Sequence, residues 1–113
     1  MILTTTTNKS ALIARLEAKE ANLTVADDFK EELVALIDKG NRFIVVNFEN
    51  VVYVDSSFLG ALVSSLKYAI PNQADIVIAG LNKDIFALFQ LIRLDKAFKI
   101  YTTANEAAAS KTL

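Results

Sequence analysis

The run Val54 to Leu62, V-D-S-S-F-L-G-A-L, holds the residues best placed to do chemistry. Asp55, Ser56 and Ser57 stand together between an apolar stretch and a helical one. A carboxylate and two hydroxyls at a helix start can accept hydrogen bonds from the free N–H groups of the first turn. On residue types alone, an Asp-Ser-Ser cluster at a helix start reads as a cap. Little else in the chain offers chemistry. There is no Cys and no His, which excludes disulfides, thiol nucleophiles, imidazole acid–base work and the common zinc sites. Acid–base options narrow to carboxylates, Lys and Tyr, and no glycine-rich phosphate loop, triad or metal cluster is present, so neither an enzyme nor a bound cofactor or metal is expected.

The elements that must position this cluster follow from periodicity. Arg42 to Phe48, R-F-I-V-V-N-F, is a continuous apolar, β-branched run, the mark of a central strand covered on both faces. From Ser56, the residues Leu59, Leu62, Val63, Leu66 and Ile70 recur at three and four, so a helix runs to about Ala69, stopped by Pro71 and Asn72. Upstream, Thr24 to Gly40 reads as a helix. Thr24 would be its cap, Asp27 would stand at the capping-box position, and Asp27 and Asp28 would lie in the first turn. Its apolar face is Phe29, Leu33, Leu36 and Ile37.

Asp75 to Ala79 is a second short apolar strand. Asn82 then caps a helix from Lys83 to Leu94, with Ile85, Leu88, Phe89 and Ile92 inward. Phe86, Leu91 and Leu94 point elsewhere, either under the terminal helix or onto an apolar contact patch for a partner or a second copy. Ala97 to Tyr101 alternates like a strand near the sheet edge, and Asn105 to Lys111 is an alanine-rich helix. At the other end, Ile2 to Thr7 fits an edge strand, while Ala11 to Ala18 fits strand or helix. Alternation of this kind predicts an α/β fold: a mostly parallel (mixed) β-sheet of four to five strands with about four helices.

Composition sets the outer bounds. The chain has 113 residues, 53% hydrophobic and 22% charged, which is one globular domain's worth, residues 1–113. A net charge of -1 provides no basic field for nucleic acid. No apolar run approaches a membrane span, and the first ten residues lack the pattern of a signal peptide, so no direct membrane insertion is expected. The absence of Cys fits the cytosol.

The segment around Asp55 resembles the signature of STAS domains, the family of bacterial anti-sigma factor antagonists and of the cytoplasmic domains of sulfate transporters. The family pattern is an apolar strand, then Asp-Ser-Ser or a close variant, then Gly-Leu-Gly opening a helix. Asp55, Ser56, Ser57, Leu59 and Gly60 match in place. Ile44 to Val51 resembles the strand and turn before the motif, and Leu91 to Ile100 resembles the last helix and strand, so the likeness spans roughly residues 10 to 110.

The resemblance implies a STAS-like fold and a cytoplasmic protein-binding switch. By position, Ser56 is the serine that an anti-sigma factor serine kinase phosphorylates, with Ser57 a lesser candidate. The unmodified protein would hold that kinase and free a sigma factor; the phosphorylated protein would not bind until a PP2C-type phosphatase resets it. Asp55 would cap the helix or help position Ser56, and a phosphate would sit beside it and near Glu49. The alternative is an accessory STAS subunit docking on the ATPase of a membrane ABC transporter, without phosphorylation.

Two departures stand out. Phe58 replaces the family's usual Gly, either tucked under a neighbouring loop or exposed beside Ser56 as a partner anchor. The Gly-x-Leu-Asp-like turn before the first helix is missing from Ala18 to Thr24, where Asn22 replaces the Asp as turn former on the partner-binding side.

Overall fold

The apolar runs assemble into one twisted sheet with helices on both faces, described by a computed structural model over residues 1–111. The last two positions of the expected domain, 112 and 113, lie outside the described residues. The chain opens with a hairpin, β1 (Leu3–Asn8) and β2 (Ala11–Leu16), whose two-residue turn puts Lys9 in the left-handed region at φ 58°. Ala11 to Leu16 is therefore strand, which settles the ambiguity in that stretch. There follow β3 (Glu20–Ala21), α1 (Leu23–Asp38), β4 (Phe43–Asn47), β5 (Tyr53–Val54) and α2 (Ser56–Ala69). A 3-10 turn over Ile70–Asn72 leads to β6 (Asp75–Ala79), α3 (Lys83–Leu91), α4 (Leu94–Ala97), β7 (Ile100–Tyr101) and α5 (Ala104–Ala109).

The main sheet has the order β1-β2-β4-β6-β7. Only β1 runs antiparallel to its neighbour; β2, β4, β6 and β7 are parallel, as helical crossovers require. The short strands β3 and β5 form a separate parallel pair, Glu20 opposite Tyr53 and Ala21 opposite Val54. Residues alternate across β4: Ile44 and Val46 face the large core with α1, α2 and α3, and Val45 faces the small core under α5. Phe29, Phe48, Phe58 and Phe89 are fully buried in the large core, each contributing about 2–3 kcal/mol of transfer free energy. At the far ends of α1 and α2, the Tyr68 hydroxyl donates to Asp38 at 2.5 Å, and that bond holds the phenol above its ordinary pKa.

Several expected boundaries move. Helix α1 starts at Leu23, and its cap is Asn22, not Thr24. Asn22 is extended at φ -129°, and its side chain accepts from the Thr24 N–H at 3.0 Å and the Thr24 hydroxyl at 2.6 Å. Asp27 and Asp28 consequently fall beyond the first turn, and the Thr24–Asp27 box does not form. Helix α3 stops at Leu91 because Arg93 turns left-handed at φ 68°, which leaves Ile92 exposed rather than inward. The expected strand from Ala97 narrows to Ile100–Tyr101; Ala97 closes α4, and the Phe98 N–H bonds back to Leu94. Helix α5 packs on β2, β4, β6 and β7, so it does not cover Phe86, Leu91 and Leu94. Phe86 and Leu91 are exposed, and Leu94 is half-buried against the large core.

Gly80, just past β6, is held at φ +76° where the next loop passes closely. A Cβ there would lie 2.6 Å from the Asn47 Oδ1 and 3.0 Å from the Glu49 N. The Asn47 side chain is itself committed, accepting from the Glu49 N–H at 3.1 Å and donating to the Glu49 carboxylate at 2.7 Å. Gly80→Ala is expected to cost about 2–4 kcal/mol in urea unfolding, since strain and a displaced hydrogen bond combine. A loss below about 0.5 kcal/mol would show that the crossing is looser than this.

Candidate functional site

Pairing of β3 with β5 brings two chain segments side by side: Glu20–Leu23, which enters α1, and Tyr53–Ser56, which enters α2. The Asp55 N–H extends this pairing by donating to the Ala21 carbonyl at 3.1 Å. Asp55 is extended at φ -118°, the geometry of an N-cap, and its two carboxylate oxygens do different work. Oδ1 accepts from the Phe58 N–H at 2.9 Å and caps α2. Oδ2 accepts from the Leu23 N–H at 2.9 Å, the first residue of α1. One carboxylate thus satisfies an orphan donor on each of two helices and lies at the positive end of both dipoles. Charge-assisted bonds of this kind contribute about 1.5–3 kcal/mol each, toward the lower end here because Asp55 is only half-buried.

The structure brings Asn22 into the same cluster, since Asn22 and Asp55 hold the first two N–H groups of α1 between them. Ser56 and Ser57 open α2 and are both exposed. Phe58 is a correction. Its ring is fully buried, 4.6 Å from Phe29 and edge-on to Phe48 at 6.2 Å, so it is not an exposed partner anchor. The cause is its place three residues after the cap, where α2 turns toward α1. The Glu49 carboxylate accepts from the Asn47 side chain and lines a 330 Å³ cleft with Arg15, Gly80, Thr103 and Asn105 at the carboxyl ends of the strands, a cleft that Ser56 does not border.

The reading of the residues missed three others. Leu23, Val52 and Tyr53 are 69%, 62% and 52% exposed; Leu23 and Tyr53 lie on the two segments that meet at Asp55, and Val52 directly precedes the second. Exposed apolar side chains around accessible hydroxyls suit an interaction surface. One signal was available: V-V-Y-V carries more apolar bulk than a two-residue strand can bury. Among the described residues, no helix is long and apolar enough to cross a membrane, and no group of His, Cys, Asp or Glu could hold a metal ion.

Asp55→Ala removes both caps and is expected to cost about 2–4 kcal/mol by urea denaturation. Asp55→Asn keeps the Oδ1 acceptor but loses the charge and one acceptor, and should cost about 1 kcal/mol. An Asp55→Asn variant as stable as wild type would show that the second oxygen contributes nothing.

The STAS domain model matches residues 3–107 of this chain. The anti-sigma-B factor antagonist of Staphylococcus aureus is 35% identical over 75 residues, 66% of this chain and 69% of that protein. A Thermotoga maritima protein provisionally assigned as an anti-sigma factor antagonist superposes with a TM-score of 0.83 at 25% identity, over 95% of this chain and 92% of that one. The Bacillus cell fate determinant SpoIIAA in its phosphorylated form shares the fold, with a TM-score of 0.70 at 17% identity over 95% of this chain and 96% of that one.

Proposed function

Since this chain belongs to the STAS domain family, we propose that it is an anti-sigma factor antagonist, a cytoplasmic binding protein switched by phosphorylation of Ser56. In its unmodified form it holds an anti-sigma factor serine kinase and so frees a sigma factor. Phosphorylation by that kinase ends the binding, and a PP2C-type phosphatase restores it. The protein binds rather than catalyses. The observation that carries the reading is the exposure of Ser56 at the first position of α2, directly beside the Asp55 clamp. The likeness to the Staphylococcus aureus antagonist supports the same class of partner. A solved relative of the same fold exists in a phosphorylated form, which supports modification as part of the mechanism.

The physics of the switch is local. Unmodified, Ser56 and Ser57 are small and neutral, and Leu23, Val52 and Tyr53 offer apolar area around them. A phosphate adds about -1.5 to -2 charges. The α2 N-terminus stabilises that charge in the free protein. A partner that approaches closely must then desolvate two anions, the phosphate and Asp55. Between charges several Å apart, at dielectrics between protein surface and water, repulsion amounts to about one to several kcal/mol. Each 1.4 kcal/mol is about tenfold in affinity, so binding ends without any refolding.

The test is calorimetric titration of a serine-kinase anti-sigma factor from the same genome, with mass spectrometry of the protein from its native cells. Ser56→Ala should bind within about threefold of wild type, and Ser56→Asp at least about tenfold more weakly. A phosphate on Ser56, gained and lost with growth conditions, is the cellular counterpart. Wild-type affinity for Ser56→Asp, together with no phosphate under any condition, would overturn the switch. Leu23→Ala and Tyr53→Ala should each weaken binding by roughly tenfold while Ser56 is still phosphorylated in the free protein.

A further inference from the structure

The two edges of the main sheet are treated differently. On one side, β7 is only two residues long, follows Lys96 and Lys99, and is flanked by the exposed Phe86: it is a short edge with charge beside it. Short, charged edges discourage pairing with other strands. On the other side, β1 is six residues long, reads L-T-T-T-T-N, and carries no charge and no proline. Thr4 to Thr7 are all exposed, although alternate residues point to opposite faces, so neither helix layer covers this edge. Between β1 and α1 there is only an open groove of about 180 Å³, lined by Met1, Leu3, Thr5, Glu32, Leu36 and Lys39 among others, with Glu32 nearest the strand's backbone.

The hydrogen bonds fix which backbone groups face outward. The Glu17 N–H donates to the Ile2 carbonyl at 2.8 Å, and Asn8 closes the hairpin opposite Ala11. Antiparallel alternation then turns the backbone of Thr4 and Thr6 toward β2 and that of Leu3, Thr5 and Thr7 away from it. Leu3 confirms the parity: its N–H donates to the Glu32 carboxylate at 3.0 Å, and the same carboxylate accepts from Ile2 at 2.8 Å. Glu32 of α1 thus seals the first end of the edge. The N–H and C=O groups of Thr5 and Thr7 remain directed outward.

We propose that this edge pairs antiparallel with the same edge of a second copy, joining two five-stranded sheets about a two-fold axis at Thr6. Thr5 of each copy then exchanges backbone bonds with Thr7 of the other, and only threonines meet across the axis. A two-fold contact must be self-complementary, and this one is. Antiparallel pairing lays the hairpin turn of one copy against the start of the other's strand. Lys9 comes opposite Leu3, whose N–H is bound by Glu32, so a cation meets an anion at each end. An unrelated strand would find the same outward bonds but not the paired charges, which is why a second copy is the occupant. The contact is small, so the dimer is weak and depends on concentration.

Sedimentation velocity from about 5 to 500 µM tests this; the range covers weak, micromolar association. Wild type should shift toward dimer across it. Thr5→Pro removes one outward N–H per copy without touching the β1–β2 ladder, and should raise the dissociation constant about tenfold. Lys9→Glu changes only the exposed turn and sets Glu against Glu32, raising the constant about threefold or more, with the difference shrinking at high salt. Should Thr5→Pro fail to fold by circular dichroism, Lys9→Glu decides alone. A wild type that stays monomeric throughout the range, or a Lys9→Glu variant that dimerises as wild type does, overturns the proposal.

Discussion

Everything around the site depends on one carboxylate shared between two helix N-termini. Asp55 reaches the Leu23 N–H with one oxygen and the Phe58 N–H with the other, so the starts of α1 and α2 cannot be set independently. Both helix ends would otherwise leave unpaired donors beside the apolar core. The charge is stabilised by two dipoles, and each helix orientation is tied to the other. A serine placed one residue after this clamp stands at the start of a helix whose orientation the clamp helps to set.

Behind the clamp stands an aromatic cluster. Phe58 follows the cap and drives its ring against Phe29 of α1, while Phe48 lies edge-on to both Phe58 and Phe89. Polar capping outside and ring packing inside therefore act on the same helix pair. The bulky residue in place of the family's glycine joins the core instead of altering the exposed face. What the exposed face gains comes from Tyr53 of β5, from Val52 just before it and from Leu23 at the start of α1.

Strong periodicity made much of this legible in the sequence. The apolar run at Phe43, the repeat from Leu59 to Leu66 and the cap at Asn82 each correspond to an element close to its expected place. The Asp55 cap on α2 was legible because it is local, three residues from its donor. Its bond to Leu23 was not, because 32 residues separate the partners and no local pattern encodes the meeting. Strands β3 and β5 have two residues each, too few to show a period. Thr24 and Asn22 are both good caps by type, and only backbone geometry decides between them. Phe58 sits on the flank of the apolar arc, where inside and outside depend on a neighbour, Phe29, that the sequence of α2 does not contain.

The two-residue pairing of β3 with β5 has a consequence for motion. The main sheet is held by long ladders, whereas this platform rests on a few backbone bonds and one side chain. Regions with so few bonds open well before the whole molecule unfolds. The amides of Leu23 and Phe58 lie on different helices but share one acceptor group, so opening that frees the carboxylate releases both to solvent. Their protons should exchange with water as a correlated pair, faster than those of β4, and so report the state of the site with no partner present.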